Sequence, residues 1–166
     1  MTGCLARPRR HALQPTVGAL LLALALAAAC SDRNPAVVIA PKTGAPVRVV
    51  VEVADTPDAQ TRGLMYRTHL DANQGMIFLF DGETDRTFWM KNTPLPLDMI
   101  FISKDGRVVG IHANAEPFAL KTISVGAPSH AVLEVVGGFA AAHGLAVGDR
   151  VTYRNIPSPK LAASQP

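Results

Sequence analysis

Residues Leu97–Ala115 read LDMIFISKDGRVVGIHANA. The apolar run Leu97–Ile102 is followed by Lys104-Asp105-Gly106-Arg107 and then by a second segment, Val108–Ala115. Asp-Gly supplies the positive φ angles of a tight reversal, so the two runs predict an antiparallel hairpin. Leu97–Ile102 is apolar on both faces after Asp98, which places that carboxylate at or near the edge of a core.

The pattern continues outward in both directions. Val47-Arg48-Val49-Val50-Val51-Glu52-Val53 puts four valines on one face and Arg48 and Glu52 on the other, the period of two of a half-buried strand. Gly75–Phe80 and Thr87–Lys91 are short apolar runs bounded by turn signals, and Ala131–Val136 and Arg150–Tyr153 complete the strands. Thr56 caps a helix with Pro57 at its first position, where the missing N–H costs nothing; it runs through Arg62 toward Tyr66. A second short helix, Phe139–His143, stops at Gly144. Many short strands with Gly and Pro turns predict a mainly β domain, an antiparallel sandwich or a partly closed barrel with one or two short helices. The domain spans Pro46–Arg154, enough for one core without staples.

The N-terminus is a targeting segment. Arg7, Arg9 and Arg10 precede the apolar run Val17–Ala29, with no acidic residue among them. A basic start, a short hydrophobic run and small residues at its end make a secretory signal over residues 1–29. It is shorter than the roughly 20 residues of a spanning helix. Cys30 follows Ala29 directly, as in a bacterial lipoprotein, although Ala27 replaces the bulky aliphatic usual three places earlier. Two outcomes stay open: lipidation of Cys30, or ordinary cleavage after Ala29. With Ser31 after the cysteine, lipidation implies a periplasm-facing protein anchored to the outer membrane; otherwise the protein is soluble and periplasmic. Residues 30–45 then read as a tether, within which Val37–Ala40 can add an edge strand, and residues 155–166 as a disordered tail.

Removing the signal also removes the basicity. The chain has 16 Lys and Arg against 13 Asp and Glu, and three of those arginines lie in the signal, leaving 13 against 13. Nucleic-acid binding loses its compositional support. The two cysteines, Cys4 and Cys30, form no disulfide in the mature domain.

Three motifs point to a family. Arg62-Gly63-Leu64-Met65, Gly75-Met76-Ile77-Phe78 and Phe88–Ile102 (FWMKNTPLPLDMIFI) together resemble a widespread prokaryotic family, domain of unknown function 192. The resemblance covers essentially all of Pro46–Arg154 and implies a mainly β sandwich. It brings no established reaction with it.

The chemistry-bearing candidates have two readings each. Arg62 either offers a guanidinium fork to a carboxylate or phosphate, or pairs with Asp98 or Glu134. Gly63 serves close packing or a tight bend. In a strand Trp89 and Lys91 share a face and can line a cleft suited to sugars; alternatively Trp89 is core and Lys91 snorkels along it. Asn92 is a ligand contact or a turn former in Asn92-Thr93-Pro94. Asp98 and Glu134 are ligand hooks or a carboxylate pair, or else structural anchors, with Arg62 the best partner for Asp98. Buried carboxylates need a partner or must be neutralised. His69, His112, His130 and His143 show no ligand spacing, so no metal or cofactor is implied.

Three functions compete. The first is a binding domain for a small or extended envelope ligand such as a glycan, using Arg62, Trp89, Lys91, Asn92, Asp98 and Glu134. The second is an envelope hydrolase using Asp98 with Glu134 or His112. The third is an assembly partner of another envelope protein.

Overall fold

The computed structural model describes residues 33–156. The expected signal peptide, Cys30, the start of the tether and residues 157–166 of the tail lie outside the described residues.

Seven strands form one sheet: β1 (Ala36–Ala40), β2 (Val47–Ala54), β3 (Gln74–Asp85), β4 (Leu97–Ile102), β5 (Val108–Ala115), β6 (Pro128–Val136) and β7 (Arg150–Arg154). Among the described residues two short helices, α1 (Pro57–Arg62) and α2 (Phe139–Ala142), accompany the sheet. The sheet order is β5-β4-β6-β3-β2-β1-β7. Every pair is antiparallel except β2 with β3. That parallel pair needs a crossover, and α1 supplies it.

The mainly β expectation holds, in its partly closed barrel form. The single sheet curls until its edges meet at one end. Arg107 bridges Arg150, Val108 N–H donates to the Asp149 carbonyl at 3.0 Å, and Val151 N–H donates to the Gly106 carbonyl at 2.8 Å. Gly106 makes this closure possible. Its φ is 73°, and a Cβ there would sit 2.8 Å from the Val151 carbonyl oxygen. The predicted Asp105-Gly106 reversal therefore does two jobs: it turns the β4–β5 hairpin and closes the curl.

Both faces of the central strands are covered. The concave face holds Val37, Ile39, Val49, Val51, Ile77, Ile100, Leu133 and Val151, drawn from six strands, with Phe139 of α2 beside them. The reverse face of β3, β4 and β6 carries Met76, Phe78, Met99, Phe101 and Val132, covered by Leu64, Leu70, Met90 and Ile123 from the connections. This explains why Leu97–Ile102 and Ala131–Val135 are wholly buried.

Three expectations change. The tether, with Val37–Ala40 expected as an edge strand, instead contributes Ala36–Ala40 as an interior strand between β2 and β7, with Ala36, Val37 and Ile39 fully buried. Thr87–Lys91 is not a strand; only Phe88 bridges Ile123. The first helix ends at Arg62 rather than near Tyr66, because Gly63 takes φ 47° and ψ −135°, a conformation outside the helix. The Thr56 cap is present, its hydroxyl accepting from Ala59 N–H at 3.3 Å.

Candidate functional site

Alternation along β4 and β6 assigns the two buried carboxylates to opposite faces. Asp98 pairs across with Val135 and shares a face with Ile100, the concave side. Glu134 pairs with Met76 on one side and Met99 on the other, both on the reverse face. The Asp98–Glu134 pair needed for a two-carboxylate hydrolase is not assembled. His112 pairs with Met99, so β4 separates it from Glu134, and Asp98 faces away from both.

Asp98 is fully buried and fully engaged. Asn114 N–H and Gly138 N–H donate to Oδ1 at 2.8 and 3.0 Å, and Ala140 N–H donates to Oδ2 at 2.8 Å. The N-cap of α2 is Gly138, which has no side chain to satisfy the first turn. Asp98 does so from another strand, where a negative charge is also favoured. Asp149 works similarly, accepting Lys42 N–H at 3.1 Å and Ala146 N–H at 2.8 Å. The expected Arg62–Asp98 pair is therefore replaced by backbone donors, and Asp98 belongs to the scaffold rather than to the cleft.

Glu134 is the contrasting case. It is only 5 % exposed, yet no hydrogen bond or ion pair engages its carboxyl among the described residues. Burial pushes its pKa up to about 8. Its carboxyl opens into a cleft of about 370 Å³. One wall is α1 with the Gly63–Met65 turn, the other is Thr87–Trp89 with Thr93, and Phe78, Phe80 and Phe88 line the base.

The walls are held by local chemistry. Phe88 packs edge-on against Phe78 and Phe101, at ring distances of 5.1 and 5.9 Å, and pins its segment to the sheet. Trp89, the next residue, is thereby turned outward and is 46 % exposed. Lys91 sits 5.2 Å from the centre of its indole ring, so these two do share a side as expected. Asn92 ties the walls together: its carbonyl accepts Tyr66 N–H at 2.7 Å and its Nδ2 donates to Tyr66 Oη at 2.8 Å. Its φ of 57° suits asparagine among non-glycine residues. Gly63 approaches so closely that a Cβ would lie 3.1 Å from Phe78 and 4.0 Å from Glu134 Oε2.

Of the residues proposed from sequence, the cleft gathers Arg62, Trp89 and Glu134. Lys91 does not line it but sits against Trp89, which does; Asn92 braces it, and Asp98 lies across the sheet. Arg62 is exposed, and no partner holds it among the described residues. A second cleft on the other side of the Arg62–Gly63 turn contains Glu52, Asp58 and Arg67. Sequence reading missed the three phenylalanines of the floor. Gly75–Phe80 carried the signal for two of them, since Phe78 and Phe80 alternate onto one face. No cluster of three or more metal-ligating His, Cys, Asp or Glu side chains occurs among the described residues.

Comparison with known proteins agrees with this architecture. No curated protein matches the chain. A protein of Sinorhizobium meliloti 1021, described as a candidate transcription regulator, has 36 % identity and a TM-score of 0.71, covering 74 % of this chain and 95 % of its own. A protein of unknown function from Novosphingobium aromaticivorans DSM 12444 has 42 % identity and a TM-score of 0.68, covering 70 % and 83 %. The family model for DUF192, an uncharacterised group (Uncharacterized ACR, COG1430), matches residues 38–153, and the chain belongs to that family.

Proposed function

We propose that this chain is an exported, lipid-anchored protein of the bacterial envelope that binds a small ligand in the cleft between α1 and the Phe88–Thr93 segment. One observation carries the reading: a buried carboxyl without a partner opens into a cleft whose rim offers an unpaired Arg62 and a half-exposed Trp89. Buried polar groups are normally satisfied, as Asp98 and Asp149 are. Among the described residues Ser129 Oγ and Tyr153 Oη also lack a hydrogen bond, but neither residue lines this cleft; a ligand that bonds Glu134 would supply the partner its carboxyl lacks. The cleft lies at the lower end of the size range for small-molecule sites. The charge balance after Cys30 gives no support to nucleic-acid binding, so the regulator description of the Sinorhizobium protein is not carried over.

Export and anchoring rest on the Arg7–Ala29 segment and Cys30. Cys30→Ala should release the domain from membranes or block processing; unchanged membrane partition with normal cleavage rules lipidation out. Ligand binding is tested through Trp89, the single tryptophan. Titration with sugars, peptidoglycan fragments and organic acids should give a saturable change in indole emission. A flat response across the panel, with Trp89 emission confirmed as solvent-sensitive by quenching, contradicts the reading.

A second reading has its own observation. Tyr66, Trp89, Phe118 and Leu120 are exposed apolar side chains. Backbone bonds from Phe118 N–H to the Thr93 carbonyl and from Met90 N–H to the Ala119 carbonyl bring their segments together. Such a surface also suits an envelope protein partner, and a photo-crosslinker at Phe118 in intact cells would capture one discrete product.

A further inference from the structure

The inference rests on the ligand-binding reading above and concerns the chemistry the cleft accepts. Two ionisable side chains line it, Arg62 at the rim and Glu134 at the base. A guanidinium is a permanent cation whose planar fork matches a carboxylate or phosphate. Glu134 is surrounded differently. Its cross-strand neighbours are Met76 on β3 and Met99 on β4, and the turn above it contributes Gly63. The remaining charges belong elsewhere. Lys91 sits on Trp89, and Arg86 is stacked on Phe80 at 4.3 Å while donating to the Asp81 and Gly82 carbonyls. Glu52 and Arg67 pair at 2.7 Å in the adjoining cleft, which Asp58 also lines, and His112 lies beyond β4.

Those neighbours decide the state of Glu134. With apolar side chains on either side its carboxyl holds a proton at neutral pH. A protonated carboxyl donates one hydrogen bond and accepts others, which suits a hydroxyl. The empty cleft then carries one positive charge, that of Arg62; Lys91 on Trp89 is a second cation nearby, whereas Arg86 is offset by Asp81. That field attracts an anion and repels an amine.

We propose that the cleft selects a small hydroxylated oxyanion such as an acidic sugar. Its anionic group sits on Arg62, its body lies against the face of Trp89, and one of its hydroxyls bonds the Glu134 carboxyl at the base.

Indole emission, backed by calorimetry, tests this with four hexosamines. N-acetylmuramic acid and N-acetylglucosamine 6-phosphate carry the oxyanion as carboxylate and phosphate; N-acetylglucosamine lacks it; glucosamine carries a cation instead. At pH 7 at least one acidic sugar should bind about tenfold or more tightly than the neutral and cationic ones, since each good charge-assisted contact is of that order. The tighter of the two names the oxyanion. Raising the pH to 9 should weaken it about tenfold, because ionised Glu134 sets a second negative charge beside the bound oxyanion and leaves the protonated fraction as the binding form. Glu134→Gln should abolish this pH dependence, and Arg62→Ala, an exposed substitution, should bring the acidic sugar to the level of the neutral one.

Equal binding of N-acetylglucosamine, or tighter binding of glucosamine, overturns the oxyanion class and leaves cleft binding intact. A pH dependence that survives Glu134→Gln overturns the role given to that carboxyl. Silence with all four, while another member of the wider panel binds, sinks the inference alone. Silence across the wider panel sinks the binding function itself.

Discussion

Replacing Asp98 should be among the most damaging single changes in this domain, although no cation pairs with it among the described residues. Three backbone N–H groups from β5 and the α2 entry converge on its two oxygens. Asp98→Asn preserves Oδ1 and its two donors but sets an amide N–H₂ against Ala140 N–H. One charge-assisted bond is lost, a buried donor is orphaned, and the two surviving bonds become neutral ones. At about 1.5–3 kcal/mol for a bond to a charged group, with part of the others added, the cost is about 2–4 kcal/mol. Asp98→Ala orphans all three donors and should cost more, about 4–6 kcal/mol on the same scale. In a domain of this size the Asn variant should melt about 10 °C lower. Arg62→Ala, exposed and unpaired, should stay within about 0.5 kcal/mol of wild type. Thermal melts of both single variants and the double variant measure this, and the effects should add. A drop of less than about 2 °C for Asp98→Asn refutes the anchoring argument. A large loss in Arg62→Ala that fails to add would restore a direct pair between the two.

Gly63→Ala should cost about 2–3 kcal/mol, because φ is positive there and the added methyl meets Phe78; a melt equal to wild type contradicts the close packing at the turn. Residues 33–156 should fold cooperatively alone, whereas residues 46–154, which lack β1 and its buried Val37 and Ile39, should not; equal melts of the two fragments would deny β1 its interior place. Glu134 makes stability depend on pH in a defined direction. Its folded value near 8 lies above the ordinary 4.5, so the unfolded chain releases this proton first and stability falls as pH rises from about 4.5 to 8. The loss is on the order of 3–5 kcal/mol, so Glu134→Gln should gain on wild type steadily across that window. Parallel pH–stability curves for the two proteins contradict this.

What the sequence revealed was mostly local. The Asp105-Gly106 hairpin, the valine alternation of β2 and the Thr56-Pro57 helix entry depend on residues within a few positions, and all three appear in the structure. β1 was harder to read because its interior place is decided by β7, whose partner residues lie over a hundred positions away, as well as by the nearby β2. Its Pro and Gly flanks look like those of a linker. Asp98 was recognised as a buried carboxylate in need of partners, but its donors are backbone amides at 114, 138 and 140, which have no sequence signature. Strand alternation by itself would turn Glu134 outward, since Leu133 and Val135 face the core. The cue against that was present in Ala131–Val136, apolar on both faces like Leu97–Ile102, which marks a central strand covered on two sides. Trp89 ended outward because Phe88, not Trp89, supplies the aromatic anchor of its segment.

The central claim is that one carboxyl in the cleft, unlike the engaged carboxylates of the scaffold, is buried, uncharged and available to a ligand. Carbon-13 NMR of the side-chain carboxyls, titrated from pH 3 to 10 and assigned with Glu134→Gln, observes it directly. The Glu134 resonance should titrate with a midpoint near 8 in the free protein and shift when a ligand fills the cleft. A midpoint in the ordinary glutamate range near 4.5 would show a solvated or paired carboxylate and would contradict the account.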